Sequence, residues 1–174
     1  MVICIVKLNY IDWRNMQTFL PYGDYTKDAA CLDDKRLGKQ RVEGMQLVKS
    51  ILIPEYGWKQ HPITKMWWFH PLSLIEYTEI VCLEWRARGY KDSVLEQLTK
   101  LKQEFYKKYN GAQLDEMRKK PHFIGHSDFH ASHRSNLLRK LPEHYNQFNW
   151  PDRDDLPYLW WTAEKGWYRG PSKN

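Results

Sequence analysis

The 174-residue chain is predicted to fold as a single all-α domain, with a short N-terminal strand or arm as the one open exception. Three long segments carry apolar residues at helical spacing, and each begins at a residue that suits a helix N-terminus. The length allows one hydrophobic core and leaves little room for a second. Charged residues make up 28% and aromatic residues 15% of the sequence, which is a globular composition.

Two aspartates predict the starts of the first helices. Asp24 suits the N-cap of a short helix, and Asp33 suits the N-cap of a longer helix over residues 34–52. Gly38 and Gly44 weaken the longer helix. Their small size would also let another backbone, such as a nucleic-acid strand, come close.

Two further long helices are predicted downstream. Pro71 suits the first turn of a helix over residues 71–88. Ser93 and Glu96 have the spacing of a capping box, which predicts a helix over residues 94–109.

The last third of the chain is predicted to hold only short elements. Helices are expected over residues 112–119 and 132–140. The tail after Pro151 is rich in Trp, Pro and Gly and is expected to be irregular, because it carries no strong hairpin signal.

The chain is predicted to divide into three parts. Residues 1–15 form an N-terminal extension, residues 16–161 a helical domain, and residues 162–174 an aromatic and basic tail. Met16 opens the regular part and is one candidate for the biological start. An ordinary N-terminal strand that begins at Met1 is the equal alternative.

Charge and cysteine content narrow the function classes. Lys and Arg outnumber Asp and Glu by 27 to 21, and this basic excess is compatible with a polyanionic partner. Three cysteines without paired spacing predict no disulfide scaffold and a reduced, cytoplasmic setting. The apolar run of residues 2–6 is too short to span a membrane. No nucleotide-binding loop occurs, so no cofactor is expected.

The segment LDDKRLGKQRVE, residues 32–43, concentrates charge at a predicted helix start. Two carboxylates precede a run of cations, which on a helix share faces one turn apart. One interpretation is a solvated helix with an aspartate cap. The functional interpretation is a phosphate-binding face that presents a carboxylate to a reacting centre. The residues concerned are Asp33, Asp34, Arg36, Lys39, Gln40 and Arg41.

Four histidines, His122, His126, His130 and His133, fall within twelve residues. Their spacing is compatible with metal ligands, but intervening Pro and Gly residues interrupt any single helix, so no metal site is predicted. The favoured interpretation is a polar pocket or a phosphate-contacting surface. His130 and His133 would form it together with Arg134, Ser135 and Asn136.

Several segments together resemble the pyrimidine dimer DNA glycosylase family, which is related to phage endonuclease V. The most specific segments are LDDKRLGKQRVE and HASHRSNLLRK, residues 32–43 and 130–140. Supporting segments are MQTFLPY, MWWFHPLSLIEYTEIVCLEWRARGY and DLPYLWW. The resemblance spans residues 16–161.

The resemblance implies a compact, metal-independent DNA repair enzyme, acting as a monomer on double-stranded DNA. In such enzymes the α-amino group attacks the sugar C1′ and expels the base, and β-elimination through an imine then nicks the strand. The resemblance assigns the catalytic carboxylate to Asp33, with Asp34 as the second choice. Arg36, Arg139 and Lys140 match DNA-contacting cations. The amine would belong to Met16 if the chain begins there.

Two other functions remain open from the sequence. One is a non-catalytic DNA- or RNA-binding protein that uses the same basic face. The other is a metal-dependent nuclease built on the histidines of residues 122–133.

Overall fold

The computed structural model describes residues 16–169, so the predicted extension over residues 1–15 lies outside the described part. Within it the chain is mainly helical, which confirms the all-α class. The helices are α1 (Tyr25–Ala30), α2 (Asp34–Leu52), α3 (Pro62–Trp67), α4 (Pro71–Ala87), α5 (Val94–Lys108), α6 (Gly111–Arg118), α7 (Ser127–Lys140) and α8 (Pro142–Tyr145). A 3-10 turn (Asn146–Phe148) and two strands, β1 (Leu159–Thr162) and β2 (Gly166–Arg169), follow.

The predicted starts of α1, α2 and α4 are confirmed. The Asp24 carboxylate accepts a hydrogen bond from the Lys27 amide at 3.0 Å, and Asp33 caps α2 in the same way. Pro71 is the first residue of α4, where its missing N–H costs nothing.

The capping box predicted at the start of α5 is wrong. Ser93 makes no side-chain cap hydrogen bond. The cap is Asp92 instead, which accepts from the amides of Val94 at 3.0 Å and Leu95 at 3.1 Å. Because Asp92 also pairs with Arg41, a long-range contact fixes this helix start.

Helix α7 begins five residues earlier than residue 132, where the sequence placed its start. The His126 side chain caps it and accepts from the Phe129 amide at 3.4 Å. Helices α3 and α8 were not predicted, although Pro62 and Pro142 begin them as proline commonly does.

The tail is more regular than its composition predicted. Strands β1 and β2 pair antiparallel, with Trp160 opposite Tyr168 and Trp161 opposite Trp167. Gly166 begins β2 with a φ of +63°, a conformation that glycine adopts without strain. The indole rings of Trp161 and Trp167 pack on His122 and His126. The hairpin is therefore held by side chains from the start of α7 and the loop before it.

Helix α2 packs closely against α4. A Cβ atom at Gly44 would lie 2.5 Å from the Thr78 hydroxyl oxygen, and one at Gly38 would lie 3.0 Å from the Trp85 ring. Gly38 and Gly44 were suggested to let a nucleic-acid strand come close, but in the structure their small size lets α4 pack closely instead. None of the helices in residues 16–169 is long and apolar enough to cross a membrane.

Candidate functional site

The first described residues form an extended segment that is buried between α2 and α7. We call residues 16–22 the N-terminal segment. Its first five residues, beginning with Met16, are buried. The segment has no strand partner in the described structure. Most of its backbone hydrogen bonds go to side chains of α2 and α7, and others go to Tyr77 of α4 and Asp28 of α1.

Gln40 of α2 binds the N-terminal segment at two points. Its amide oxygen accepts from the Phe19 N–H at 3.0 Å, and its amide nitrogen donates to the Gln17 carbonyl at 2.5 Å. The same nitrogen donates to Oε2 of Glu43 at 2.9 Å. Although predicted to contact DNA, Gln40 is only 1% exposed, and its placement links the segment to a buried carboxylate.

Glu43 is the site residue that the sequence analysis missed. Its carboxylate is buried and accepts from Gln40 and, at 3.2 Å, from Nζ of Lys39. Burial raises the pKa of Glu43 to about 7, against the lowering effect of Lys39 and Lys140. A signal existed, because Lys39, Gln40 and Glu43 lie three and four residues apart at the end of the charged motif.

Asp33 lies at the N-terminus of the same helix in a different environment. Burial alone would raise its pKa, but hydrogen bonds from Tyr145 and Arg36 more than offset this and hold the pKa below its usual value. The Tyr145 hydroxyl donates at 2.7 Å and the Arg36 guanidinium at 2.6 Å. Asp33 is therefore a carboxylate that stays ionised near neutral pH, with both oxygens occupied.

Asp34 and Arg41 do not join this group. Asp34 is exposed and accepts from Tyr90 at 2.5 Å and Arg88 at 2.9 Å, which keep its pKa low. Arg41 pairs with the fully buried Asp92 carboxylate at 2.5 Å. Both residues therefore contact the α4–α5 side of α2, so the structure does not bring them to Glu43, and their catalytic and DNA-binding roles stay predictions.

His130 and His133 hold the middle of the N-terminal segment from α7. Nδ1 of His130 donates to the Leu20 carbonyl at 2.6 Å, while its Nε2 accepts from the Gly125 amide at 2.9 Å. Nδ1 of His133 accepts from the Leu20 N–H at 3.3 Å. Burial lowers the pKa of both histidines. Each is thus neutral, and its contact with DNA stays a prediction.

Arg134 and Ser135 also make contacts within the protein. The Arg134 guanidinium donates to both oxygens of Asp152, at 2.5 and 2.9 Å, and to the Pro21 carbonyl at 2.7 Å. The Ser135 hydroxyl accepts from the Leu156 amide at 2.9 Å. They fix the N-terminal segment and the chain after α8 to α7.

Arg139 and Lys140 lie at the exposed end of α7. Lys140 is near enough to Glu43 to lower its pKa. The Arg139 guanidinium donates to the Asp154 carbonyl and to the side chain of Asn136. The end of α7 therefore adds positive charge beside the buried carboxylate of α2.

Aromatic rings extend the site next to Asp33. Tyr145 stacks on Trp150 with ring centres 5.8 Å apart, and Phe148 stacks on Trp150 at 5.1 Å. The indole N–H of Trp150 donates to the hydroxyl of Tyr22, which is 38% exposed. We call these four rings the aromatic cluster. Three of its members, Tyr145, Phe148 and Trp150, lie within six residues of the sequence, whereas Tyr22 joins them only in the folded chain.

The histidines of residues 122–133 do not form one cluster. His122 and His126 contact the hairpin, whereas His130 and His133 contact the N-terminal segment. Across residues 16–169 no three His, Cys, Asp or Glu side chains are grouped as a metal ion would require.

The arrangement combines two carboxylates of different character with cations from two helices. A low-pKa carboxylate can stabilise a positive charge, and one with a pKa near 7 can exchange a proton at neutral pH. Lysine and arginine beside aromatic rings suit contact with phosphates and bases. The helical fold and the site together suit a protein that binds a polyanion.

One known protein family matches part of this sequence. The family model described as pyrimidine dimer DNA glycosylase matches residues 16–97. The resemblance found in the sequence is thereby confirmed over this segment. The matched segment begins at Met16 and contains Asp33, Gln40 and Glu43, whereas α7 lies beyond it. No curated protein and no solved structure matches the chain.

Proposed function

We propose that this protein is a DNA glycosylase that removes pyrimidine dimers, or another damaged or modified base, from double-stranded DNA. The observation that carries the proposal is the position of Glu43. Its buried carboxylate has a pKa of about 7 and is joined through one side chain to the backbone of Gln17. The match of residues 16–97 to the pyrimidine dimer DNA glycosylase family supports the same activity.

The two carboxylates would divide the chemistry between them. Asp33, ionised and held by Arg36 and Tyr145, suits electrostatic stabilisation of the cationic sugar that forms as the base leaves. Glu43 suits proton transfer, because a pKa near the working pH makes both protonation states available. In this proposal Asp33 keeps its predicted catalytic role only as an electrostatic stabiliser. Glu43 is added as the second catalytic carboxylate.

An amine of the chain would give the enzyme its lyase activity. The amine attacks C1′, and the base departs with the electron pair of the glycosidic bond and takes up a proton. The sugar ring then opens to an imine, and β-elimination breaks the bond from C3′ to its phosphate oxygen. The α-amine of Met16 serves if the mature chain begins there. Nζ of Lys39, 3.2 Å from Glu43, is the second candidate.

DNA would lie across the ends of α2 and α7. Lys39 of α2 and Lys140 of α7 lie near Glu43, and their side chains would contact phosphates. The aromatic cluster adjoins Asp33 and would stack against an unpaired base. The cations assigned to the DNA are Arg36, Lys39, Arg139 and Lys140.

The deciding experiment measures base release and strand cleavage on a duplex that carries one pyrimidine dimer, with parallel assays on other damaged bases. We expect Glu43→Gln to lower the rate by about 100-fold or more. Glu55→Gln changes an exposed glutamate and is the matched control. Tight binding by the unaltered protein with no base release from any duplex would instead identify a non-catalytic DNA-binding protein.

The lyase step needs its own test. The protein is incubated with an abasic-site duplex and borohydride, which reduces an imine to a stable adduct. Chains that start at Met1 and at Met16 are compared, and the modified peptide is sequenced. An adduct on the α-amine or on Lys39 identifies the amine. Base release without any adduct would leave a glycosylase that lacks the lyase step.

A further inference from the structure

The side chain of Gln40 has every hydrogen-bonding position in use. Its oxygen accepts from the Phe19 N–H and from the Tyr77 hydroxyl at 2.7 Å. Its nitrogen donates to the Gln17 carbonyl and to the Glu43 carboxylate. A primary amide has two donors and room for two donors to its oxygen, so this one is saturated in a buried position.

The partners also fix which way the amide faces. The Phe19 N–H can only donate and the Gln17 carbonyl can only accept, so the oxygen and nitrogen of Gln40 cannot exchange places without loss. Rotating the amide would set its nitrogen against the Phe19 N–H and its oxygen against the Gln17 carbonyl in a buried site, at the cost of unmet hydrogen bonds. The N–H group is thus held toward Glu43.

We propose that Gln40 is a positioning residue, whose amide holds the backbone of Gln17 and the carboxylate of Glu43 in a fixed relation to each other. This inference rests on the proposed function. If the mature chain begins at Met16, the α-amine is one residue from the point that Gln40 holds. The side chain that was predicted to contact DNA would instead set the distance between amine and carboxylate.

The electrostatic consequence concerns the protonation of Glu43. An N–H donor favours the ionised form of a carboxylate, so Gln40 opposes the burial that raises the pKa of Glu43. The other charged or titratable groups that face Glu43 are Lys39 on α2, Lys140 on α7, Tyr77 on α4 and Tyr158 before β1. Changing Gln40 leaves all of these in place.

The test is a carbon-13 NMR titration of the Glu43 carboxyl, assigned by its loss in Glu43→Gln. In Gln40→Met, which keeps the length and loses the amide, we expect the pKa of Glu43 to rise by about 1. Tyr77→Phe is the matched control, because it removes hydrogen bonds to the Gln40 amide oxygen and the Phe19 carbonyl but none to Glu43, and the pKa of Glu43 should not move. Gln40→Asn retracts the amide by one methylene and serves if Gln40→Met does not fold.

Activity and binding supply independent readouts. The acid limb of the pH–rate profile for base release should shift upward by the same amount as the NMR value, while DNA affinity stays unchanged. An unmoved pKa of Glu43 in a folded Gln40 variant overturns the positioning role, and a loss of DNA affinity with that result would restore the DNA-contact role. The titration needs no activity, so it separates failure of this inference from failure of the proposed function.

Discussion

Glu43 and Asp33 show how one helix gives two carboxylates opposite properties. Asp33 sits at the helix N-terminus, where the Arg36 amide and the Tyr145 hydroxyl donate to it. Glu43 lies nearly three turns further along and is buried, with Lys39 and Gln40 as its hydrogen-bonding partners. Burial raises the pKa of both carboxylates, and hydrogen-bond donors offset it fully at Asp33 but only partly at Glu43.

The first prediction concerns how the ionisation of Glu43 lowers the free energy of unfolding. Its folded pKa of about 7 lies above the usual value, so ionising it costs more in the folded protein than in the unfolded chain. This penalty is absent well below pH 4, grows as the pH rises toward 7, and is complete above it. Glu43→Gln should therefore raise the free energy of unfolding at pH 8, by at most about 3 kcal/mol, while activity falls.

Urea denaturation at pH 8 and at pH 4 measures the effect of Glu43→Gln. The increase in the free energy of unfolding should be confined to pH 8, because at pH 4 the glutamate is protonated in both the folded and the unfolded state. An equal change at the two pH values would mean that packing, and not charge, separates the variant from the unaltered protein.

The second prediction concerns His133, whose Nδ1 accepts from Leu20. Its pKa in the folded protein is far below the usual value, so the unfolded chain binds a proton more readily. The free energy of unfolding should therefore be unaffected above about pH 7 and fall as the pH drops below about 6.5.

His133→Asn tests this, because an asparagine oxygen can accept from Leu20 as Nδ1 does but cannot titrate in this range. The variant should lose less stability than the unaltered protein between pH 7 and pH 5. If the two lose the same amount, another group is responsible for the acid sensitivity.

At the scale of elements, α2 is the helix around which the site is organised. One part of its surface holds the N-terminal segment through Gln40. The other receives α4, with Thr78 and Trp85 against Gly44 and Gly38. The two glycines weaken the helix locally, but they let α4 approach closely, and tertiary packing stabilises the helix in return.

The third prediction is that Gly44→Ala destabilises the protein by roughly 1–3 kcal/mol, because the new methyl group would overlap Thr78. Gly111→Ala is the control. Gly111 lies in α6, and a Cβ there meets nothing within 4 Å, so higher helix propensity should leave stability equal or slightly raised. Thermal unfolding of both variants compares them. A neutral Gly44→Ala would show that α4 can move away.

For the whole molecule, the position of each cation matters more than the net charge of +6. Lys140 ends α7 beside Glu43 and is proposed to contact phosphate. Arg41 has the same charge but faces Asp92, whose carboxylate is fully buried. A count of basic residues does not distinguish the two, whereas in the folded protein they have different partners.

The fourth prediction compares Lys140→Gln with Arg41→Gln. Lys140→Gln should reduce the slope of log affinity for DNA against log salt by about 1 and leave stability nearly unchanged. Arg41→Gln should leave that slope intact and cost about 3 kcal/mol of stability, since it removes a charged partner of the buried Asp92. Salt titrations of binding and urea denaturation measure the two effects. A reversed pattern would place the DNA on the α4–α5 side.

The sequence by itself determined the features that depend on neighbouring residues. The all-α class, the caps at Asp24 and Asp33, and the start of α4 at Pro71 were predicted correctly, because caps and helical periodicity are local. The charged motif also carried the family resemblance. The cap of α5 was assigned wrongly to Ser93, whereas the side chain that accepts from the first amides belongs to Asp92, which also pairs with the distant Arg41.

Only the tertiary structure decided which residues of the motif work together. Glu43 became a candidate because burial raises its pKa and Gln40 joins it to the N-terminal segment. Arg41 and Asp34 instead form ion pairs with Asp92 and Arg88, away from the N-terminal segment. Burial, and contacts between residues far apart in the chain, depend on how the helices pack, and no local pattern of residues contains that information.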